Sequence, residues 1–550
     1  MKSPTPNMLG LVSTSSVAVP VDILRAAVPV GIGLASAAYL TMKMVSQTVD
    51  KSIPTVALRS GDSTHDAEYN DDPDLFLSRC EEEYGPVFNL YILNQNLTVI
   101  SGPMVREVFM NEDFSFGDAI DDVTGLRSFT TSIIKSNKHP DSPVPHEIIR
   151  DTISPNLPLF TPRIVDQLVS FIDNNLGHCD HKLVENPLLV FQDMIAGAMA
   201  TVFMGSEVAK NRKVIDTFIQ CTYDFGKVLG KDSRKSFWHS FQNRAMYGNG
   251  IMNPLHKHVQ VLVDAATPVI LERRKQEAEA VEKGIEYERP LDILQKLLDN
   301  FDKYNFVDLE DVCGHLLILV LASVHTTSDT TTNILYYLAA FPEHMDTLLQ
   351  EQQRVLDEIA KEREEQRQSR LKSGEVHSRL DFEGTDLDPK NDRDLSAAAV
   401  KRMTYVDSFV REIFRYRSER MQLPHLARKN VVLSNGMTIH KGRTAIINLR
   451  SVHYNNDMQG DDPAEFRPWR FVGKAKSATK VSADFLAFGM GRHACPGRFL
   501  AIQELKTVSI LMVSKYSKLE IQDPSQTKKA LLSRIGDPVP TGIIFTSRQQ

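Results

Sequence analysis

A cysteine near the carboxyl end of the sequence stands in a setting that favours its anionic form. Cys495 follows Gly489 and Gly491 and precedes Pro496, which opens an apolar, helix-like run. Proline is tolerated at the first helical position, and unpaired N–H groups at a helix N-terminus lower the pKa of a thiol there. The glycines let the backbone turn tightly and approach a flat ligand closely. A sulfur anion presented in this way, shielded by Phe488, predicts a metal ligand.

Two other interpretations explain this loop less well. Gly489-x-Gly491-x-x-Ala494 also matches a dinucleotide-binding fingerprint, but Cys-Pro interrupts the helix and no acidic residue stands at the right distance downstream. A buried structural cysteine explains neither the glycines nor the proline. A proximal thiolate ligand for a haem iron uses all of these residues. Wide spacing without a CxxC pair argues against disulfides or a zinc knuckle for the other cysteines, Cys80, Cys179, Cys221 and Cys313.

A second group of polar residues interrupts an apolar helix predicted over residues 316–340. Polar side chains in such a helix cost free energy unless they are satisfied. Thr326 can bond back to the carbonyl of Ala322, which would bend the helix and open a notch for a diatomic ligand. His325 beside it can shuttle protons near neutral pH. The alternative is a threonine-rich core helix with no chemical role.

A carboxylate and a guanidinium form a third motif, Glu412-x-x-Arg415, on a helix predicted over residues 405–416. A spacing of three places both side chains on one helix face, where they can pair. Surface helices contain this motif by chance, so its position ahead of the Cys495 loop is what makes it informative.

These segments, taken in order, resemble the cytochrome P-450 superfamily over roughly residues 75–545. Phe488, Gly491, Cys495 and Gly497 match the haem-loop pattern FxxGxRxCxG, with His493 in the arginine position. The sequence GRHACPGR is similar to the haem loops of the fungal, microsomal branch of this superfamily. A histidine can still donate a hydrogen bond, but its charge depends on pH.

The resemblance implies haem b as cofactor, with its iron axially ligated by Cys495. It implies that Arg470, in the segment Phe-Arg-Pro-Trp-Arg-Phe, joins Glu412 and Arg415 in a structural cluster behind the cysteine loop. One carboxylate shared by two planar guanidinium groups would lock that part of the core. Thr326 would help deliver protons to dioxygen.

In the family's oxygen-binding segment, Ser323 stands in place of a glycine and His325 in place of an acid. The proton relay would then depend on Thr326 and, through its imidazole, on His325. The resemblance places four residues against the haem propionates, namely His146, Arg150, His425 and His493.

The amino terminus predicts a membrane anchor. Residues 26–42 carry no charge and would span roughly 25 Å as a helix. A cleaved signal peptide, with Ala35-Ser36-Ala37 as its processing site, and a buried core helix are the alternatives. The charges on both sides are similar, so they do not indicate orientation. The predicted layout is a tail (1–25), the anchor (26–42), a linker (43–74) and a catalytic domain (75–550).

Composition indicates an ordered globular protein, since 42% of its 550 residues are hydrophobic and 24% are charged. A net charge of -7 with interspersed signs excludes a nucleic-acid surface. Helical periodicity dominates the middle of the chain, and a hairpin is predicted over residues 87–100. The predicted fold is mainly α with small β-sheets, in the single large domain implied by the resemblance.

The resemblance implies a monooxygenase that hydroxylates or epoxidises a lipophilic small molecule, with a terpenoid-like secondary metabolite as the expected class. No flavin or nicotinamide motif is found, so an NADPH-cytochrome P450 reductase would supply electrons. The expected location is the endoplasmic reticulum membrane, single-pass, with a cytosolic catalytic domain. Alternatives are a haem-thiolate isomerase or dehydratase and a non-enzymatic membrane haem-binding protein. Expected pocket residues are Leu317, Val320, Leu321 and Val324, together with the segment after Met421. Five basic residues near the cysteine would form either a docking face for a partner or a merely solvated surface, namely Lys474, Lys476, Lys480, Arg492 and Arg498.

Overall fold

A computed structural model describes most of the chain after its amino terminus. The described residues are 53–92, 95–124, 126–138, 142, 144–229, 253–373, 395–418, 420–533 and 539–549. The expected anchor, residues 26–42, lies outside them. Within them helices dominate and the sheets are small, as the sequence predicts.

The helices are numbered here in chain order. They are Asp66–Asp71 (α1), Pro73–Tyr84 (α2), Met104–Met110 (α3), Phe116–Thr124 (α4), Leu126–Ile133 (α5), Val144–Ile148 (α6), Leu157–Asn175 (α7), Pro187–Phe203 (α8), Arg212–Leu229 (α9), Leu255–Lys283 (α10), Ile293–Asp299 (α11), Leu309–Ala340 (α12), Glu343–Ser373 (α13), Ala397–Arg402 (α14), Thr404–Tyr416 (α15), Arg450–His453 (α16), Asn456–Gln459 (α17), Arg498–Lys515 (α18) and Thr527–Leu532 (α19). A π-helical turn, Ile149–Ile153, continues α6, and short 3-10 turns cover Val208–Lys210, Gly491–His493 and Pro524–Gln526.

The strands form three sheets. They are Val87–Ile92 (β1), Gln95–Ile100 (β2), Phe114–Ser115 (β3), Lys182–Val184 (β4), Met421–Ala427 (β5), Val431–Val432 (β6), Thr438–Ile439 (β7), Thr444–Asn448 (β8), Tyr516–Ile521 (β9) and Ile543–Ser547 (β10). The largest sheet has the order β1-β2-β8-β5-β3, a second has the order β4-β10-β9, and β6 pairs with β7. The predicted hairpin is confirmed, with Val87 opposite Ile100, although Gln95 and Asn96, expected in the turn, belong to β2.

The interior helix α12 is longer than the sequence predicts. It begins at Leu309 because the side chain of Asp308 caps it, accepting the N–H of Asp311 at 2.9 Å. It crosses the end of α5 so closely that a Cβ on Gly314 would lie 2.1 Å from the carbonyl oxygen of Ile133. Among the described residues, α12 is the one helix long and apolar enough to span a bilayer. Its packing against α8, α10 and α18 makes it a core helix.

Helix α13 is unusually long and polar for this protein. It continues to Ser373 through a heavily charged segment. Ion pairs along its exposed surface support this extension, including Arg354–Glu358 at 2.7 Å and Arg367–Glu364 at 2.9 Å.

A carboxyl group is buried in the core without a visible partner. Glu504, on α18, is 1% exposed, and neither carboxyl oxygen has a hydrogen-bond partner among the described residues. Burial raises the pKa of Glu504 well above its ordinary value. The folded state therefore keeps this proton at pH values where the unfolded chain releases it.

Replacing Glu504 with glutamine is expected to alter how stability depends on pH. The wild-type free energy of unfolding should fall as pH rises above the unfolded carboxyl pKa of about 4.3, by up to about 1.4 kcal/mol per pH unit. Glutamine has no proton to lose, so the Tm of Glu504→Gln minus that of the wild type should grow between pH 5 and pH 7. Thermal unfolding followed by circular dichroism measures this difference. A difference that stays flat, like that of the exposed control Glu286→Gln, would contradict the assignment.

Candidate active site

The cysteine loop joins a short turn to helix α18. Cys495 follows the 3-10 turn Gly491–His493, and α18 begins at Arg498 rather than at Pro496 as expected. The N–H of Cys495 donates to the carbonyl of Phe488 at 2.8 Å, which closes the loop around the cysteine.

The thiol of Cys495 experiences two opposing effects. Burial raises its pKa, whereas backbone N–H groups of Gly497 and Arg498 and the charge of the Arg498 guanidinium lower it. The sequence predicted a lowered pKa from the helix end alone, and that prediction was wrong because burial, which raises the pKa, is the larger effect. The donors that would stabilise a thiolate are nevertheless in place around the sulfur.

Glycine is required at the turn before the cysteine. Gly491 has φ +66°, and a Cβ there would lie 3.1 Å from the carbonyl oxygen of Phe109 on α3. The ring of Phe488 lies 5.2 Å from that of Phe414 on α15, which ties the loop to the helix that carries the Glu-x-x-Arg motif.

Two of the predicted propionate residues lie side by side. The ring centroids of His425, on β5, and His493, in the cysteine loop, are 6.2 Å apart. Phe116 lies 5.7 Å from His425 and 6.4 Å from His493, so its ring contacts both. Arg492 donates from Nε to Nε2 of His493 at 3.0 Å, which adds a guanidinium to this cluster.

One ring nitrogen of His425 has a hydrogen-bond partner, and the other has none among the described residues. Its Nδ1 donates to the carbonyl of Leu423 at 2.8 Å, while its buried Nε2 has no partner among the described residues. Burial is the main reason that the pKa of His425 falls to about 4. Since Nδ1 holds the proton of the neutral ring, Nε2 can donate only from the protonated form, which a nearby carboxylate would favour.

The backbone around His425 is irregular. The β5–β8 pairing shifts register between Gln422 and His425, and Leu423 lies in the left-handed region at φ +54°. A β-bulge of this kind re-aims the side chain that follows it.

The other two predicted propionate residues are not brought to this cluster. His146 on α6 and Arg150 in the following π-turn are exposed. Arg150 forms a bidentate pair with the adjacent Asp151, at 2.6 and 2.9 Å. Their assignment to the cofactor therefore gains no support from the geometry and stays a prediction.

The middle of α12 is open along one side. Ala322 and Thr326 are exposed, and Ile318, Leu321 and His325 are partly exposed, in a helix that is otherwise largely buried. Their spacing of three or four residues places them on one stripe. Other described residues do not cover this stripe, and α12 packs against α18, the helix that follows Cys495.

Most of the expected pocket residues lie on the packed face of α12 and not on its accessible face. Leu317, Val320 and Val324 are 0% exposed and face the packed side of α12, whereas only Leu321 belongs to the open stripe. The sequence could not distinguish these faces because the helix is apolar around its whole circumference near this point.

The predicted hydrogen bond of Thr326 is confirmed. Its Oγ1 lies 3.0 Å from the carbonyl oxygen of Ala322 and 3.2 Å from that of Ser323. The buried Nδ1 of the adjacent His325 has no partner among the described residues. Thr326 is therefore accessible, and the residue before it carries a buried imidazole nitrogen without a partner in the described part of the chain.

The structural cluster also has the predicted arrangement. Arg415 forms two hydrogen bonds of 2.7 Å with the carboxylate of Glu412, and Nε of Arg470 lies 3.1 Å from the same carboxylate. All three side chains are buried. The N–H of Arg467 donates to Glu412 as well, at 2.9 Å, so the carboxylate is fully surrounded by donors.

Most of the basic residues near the cysteine form hydrogen bonds or ion pairs within the protein. Arg498 donates to the carbonyls of Cys495 and Thr479, Arg492 to those of Glu112 and Phe114. Lys480 donates to the carbonyl of Ala475 at 2.9 Å, and Lys476 pairs with Asp484 at 2.5 Å.

The site is of the haem-thiolate type. It combines a thiol on a glycine-rich loop, two histidines beside that loop and accessible polar residues in a neighbouring core helix. Comparison with known families agrees. A model of the cytochrome P450 family matches residues 63–373 and 375–538, so the chain belongs to that family.

Relatives of known class are fungal. The chain is 26% identical over 435 residues to the cytochrome P450 monooxygenase paxP of Penicillium paxilli, covering 76% of this chain and 75% of that protein. It is 23% identical over 488 residues to the cytochrome P450 monooxygenase 71 of Postia placenta, covering 84% and 86%. The chain is accordingly a haem-thiolate monooxygenase, which uses dioxygen and electrons from a redox partner.

The residues present fit a haem. Cys495 offers a sulfur with N–H donors around it, and the backbone at Gly491 is compact enough for close approach. The open, buried Nε2 of His425 fits an acid group of the cofactor, which would complete its hydrogen bonding.

Proposed function

We propose that this monooxygenase hydroxylates or epoxidises a lipophilic small molecule in the cleft lined by the open stripe of α12. The observation that carries the proposal is the accessible pair of Thr326 and Ala322 within a core helix. Ile318 and Leu321 on the same stripe supply apolar surface for an apolar substrate. A terpenoid-like scaffold of secondary metabolism is the proposed class, supported by the fungal relatives.

Three residues would hold the cofactor. Cys495 would ligate the iron through its thiolate, with Gly497 and Arg498 N–H groups stabilising the sulfur charge. His425 and His493 would contact the acid groups of the porphyrin from one side. Bound haem supplies the iron at which dioxygen is activated, so that one oxygen atom enters a C–H or C=C bond and the other leaves as water.

Thr326 is proposed to manage protons at the cleft. Its hydroxyl donates to the Ala322 carbonyl in the resting arrangement, which leaves its oxygen free to accept a hydrogen bond from a guest molecule. Rotation about the side chain lets the same hydroxyl donate instead. His325, whose Nδ1 has no partner among the described residues, stands in the acid position of the family motif and is the second proposed member of the proton relay.

Replacing Thr326 with valine is expected to uncouple electron consumption from product formation. Valine keeps the shape but removes the hydroxyl, so product per NADPH should fall roughly 100-fold, the lower end of the range that positioned proton donors contribute. NADPH oxidation, peroxide release and product are measured together. Thr330→Val is the control, since that hydroxyl is buried and bonds back to the carbonyl of Thr326 at 2.9 Å. Equal coupling in Thr326→Val and the wild type would remove the proton role.

The membrane setting is also proposed. The uncharged residues 26–42 would anchor the chain in the endoplasmic reticulum membrane as a single pass. A linker shorter than the expected 43–74 would follow, because Ile53 and Val56 are buried and α1 is folded. The residues from Ile53 onward would form the cytosolic domain that accepts electrons from an NADPH-cytochrome P450 reductase. The full chain should sediment with microsomes and should stay bound to them after a carbonate wash. Deletion of residues 1–42 should abolish this binding if the arrangement is correct.

The function is tested by product analysis. The full chain is co-expressed with a reductase and supplied with terpenoid, polyketide and fatty-acid scaffolds under labelled dioxygen. The expected result is one labelled oxygen atom per oxidation in a terpenoid product, with dependence on NADPH. Conversion that needs no NADPH and leaves no labelled oxygen in the product would indicate an isomerase or dehydratase instead. Haem binding without conversion of any scaffold in the panel would favour a non-enzymatic protein.

A further inference from the structure

The Glu412 cluster lies behind the cysteine loop and holds the segment between them. Arg415 and Arg470 direct their remaining N–H groups at backbone carbonyls of residues 453–465, including those of His453, Gln459 and Glu465. The way in which this cluster fixes the loop therefore depends on the contacts that this segment makes onward.

One hydrogen-bonded path runs through a histidine. Nη1 of Arg415 donates to the carbonyl of His453 at 2.7 Å, and the ring Nε2 of His453 accepts the N–H of Leu486 at 2.9 Å. The carbonyl of Leu486 then accepts the N–H of Gly489 at 2.9 Å, at the start of the tight turn before Cys495. A single residue thus joins the cluster to the loop, with its backbone on one side and its imidazole on the other.

A second path runs parallel to the first. Nη1 of Arg470 lies 3.4 Å from the carbonyl of Gln459, and Nε2 of Gln459 donates to the carbonyl of Asp484 at 2.6 Å. The same amide also reaches the carbonyl of Val452 at 3.2 Å, beside His453. The two paths therefore reach the same end of the loop, two residues apart.

We propose that His453 is a positioning residue that transmits the rigidity of the Glu412 cluster to the Cys495 loop, with Gln459 as its parallel support. The proposal rests on Cys495 being the iron ligand. His453 acts by holding Leu486, and through it the turn at Gly489, so that the sulfur is presented in one fixed orientation.

The surroundings of His453 keep its imidazole in the form that this role needs. A backbone N–H can donate to Nε2 only if the ring proton sits on Nδ1 and the ring is neutral. His453 is 0% exposed and packs against Phe485, with the two rings tilted by 32° and their centroids 5.7 Å apart. Burial, with the charges of Arg415, Arg411 and Arg450, lowers its pKa to about 3, so Nε2 stays an acceptor throughout the physiological range.

The test compares two substitutions at this position in the full-length holoenzyme. His453→Leu fills the space but leaves the Leu486 N–H without an acceptor, whereas the side-chain oxygen of His453→Gln can accept it. His258→Leu is the matched control, because His258 is also buried and hydrogen-bonded, to Asp224 at 3.1 Å, but lies on α10. Haem content, thermal unfolding and the Soret band of the reduced carbon monoxide complex are measured for each.

The expected result separates positioning from simple packing. His453→Leu should lower the ratio of thiolate-ligated to thiol-ligated haem by about tenfold, as for one lost buried hydrogen bond, and His453→Gln should restore most of it. His258→Leu should reduce Tm but keep the thiolate ratio. Retention of the thiolate band in His453→Leu, or equal loss in His258→Leu at matched stability, overturns the proposal. Absence of that band from the wild type would instead overturn the assignment of Cys495.

Discussion

Replacing Cys495 with serine is expected to abolish both the thiolate signature and turnover. A serine hydroxyl stays protonated where a thiol ionises, so it cannot give the iron the charge that promotes O–O cleavage. The red-shifted Soret band of the reduced carbon monoxide complex should disappear. Product formation should fall to near the uncatalysed rate, which for enzymes in general lies at least about 10⁶-fold lower.

Two measurements make the Cys495→Ser result specific. Haem content is determined alongside the spectrum, since a protein that binds haem without a thiolate differs from one that has lost the cofactor. Cys179→Ser is the control, because that partly exposed thiol donates to the carbonyl of Phe545 at 3.5 Å and lies outside the site. A thiolate band retained by Cys495→Ser, or lost in Cys179→Ser, would mean that a different sulfur holds the iron.

Replacing Arg415 with leucine is expected to have the largest effect on folding. Glu412 would stay buried with one of its two cationic partners gone, and breaking a buried ion pair costs about 3–5 kcal/mol. Stability of native proteins is commonly about 5–15 kcal/mol, so much of the variant should be unfolded or unable to retain haem. Soluble yield, haem content and urea-induced unfolding measure the loss.

The chain contains a matched control for this substitution. Glu364 and Arg367 on α13 have the same Glu-x-x-Arg spacing and a 2.9 Å contact, but their side chains are 52% and 61% exposed. Arg367→Leu should leave the free energy of unfolding nearly unchanged, because exposed pairs are screened by water. Similar losses in the two variants would show that burial of the Glu412 cluster contributes little.

The comparison of these two motifs explains what the sequence could predict. The letters Glu-x-x-Arg are identical at both places, and only the order of motifs before Cys495 distinguished the functional one. The same ordering correctly placed Arg470 beside Glu412 and Thr326 beside the carbonyl of Ala322. Contacts that depend on local spacing and motif order could therefore be predicted from the sequence alone.

Features that depend on tertiary packing were not readable. His453 and Gln459 each use one backbone carbonyl toward the cluster and one side-chain nitrogen toward the loop, where the partners are backbone groups that leave no pattern of side-chain types. The open face of α12 depends on which neighbouring helices cover it, so apolar residues at Leu317 and Ile318 look alike in the sequence. The pKa of Cys495 likewise depends on burial, which its neighbours in the chain do not reveal.

The bulge in β5 has a consequence for how this protein can vary. A bulge places one extra residue in β5 while Gln422 and His425 keep their partners on β8, so deleting Leu423 would remove both the register shift and the carbonyl that accepts the Nδ1 proton of His425. Point substitutions in the same strand leave that backbone carbonyl in place. The number of residues between Arg420 and His425 is thus a stricter requirement than their chemical type, and libraries that diversify this strand should hold its length constant.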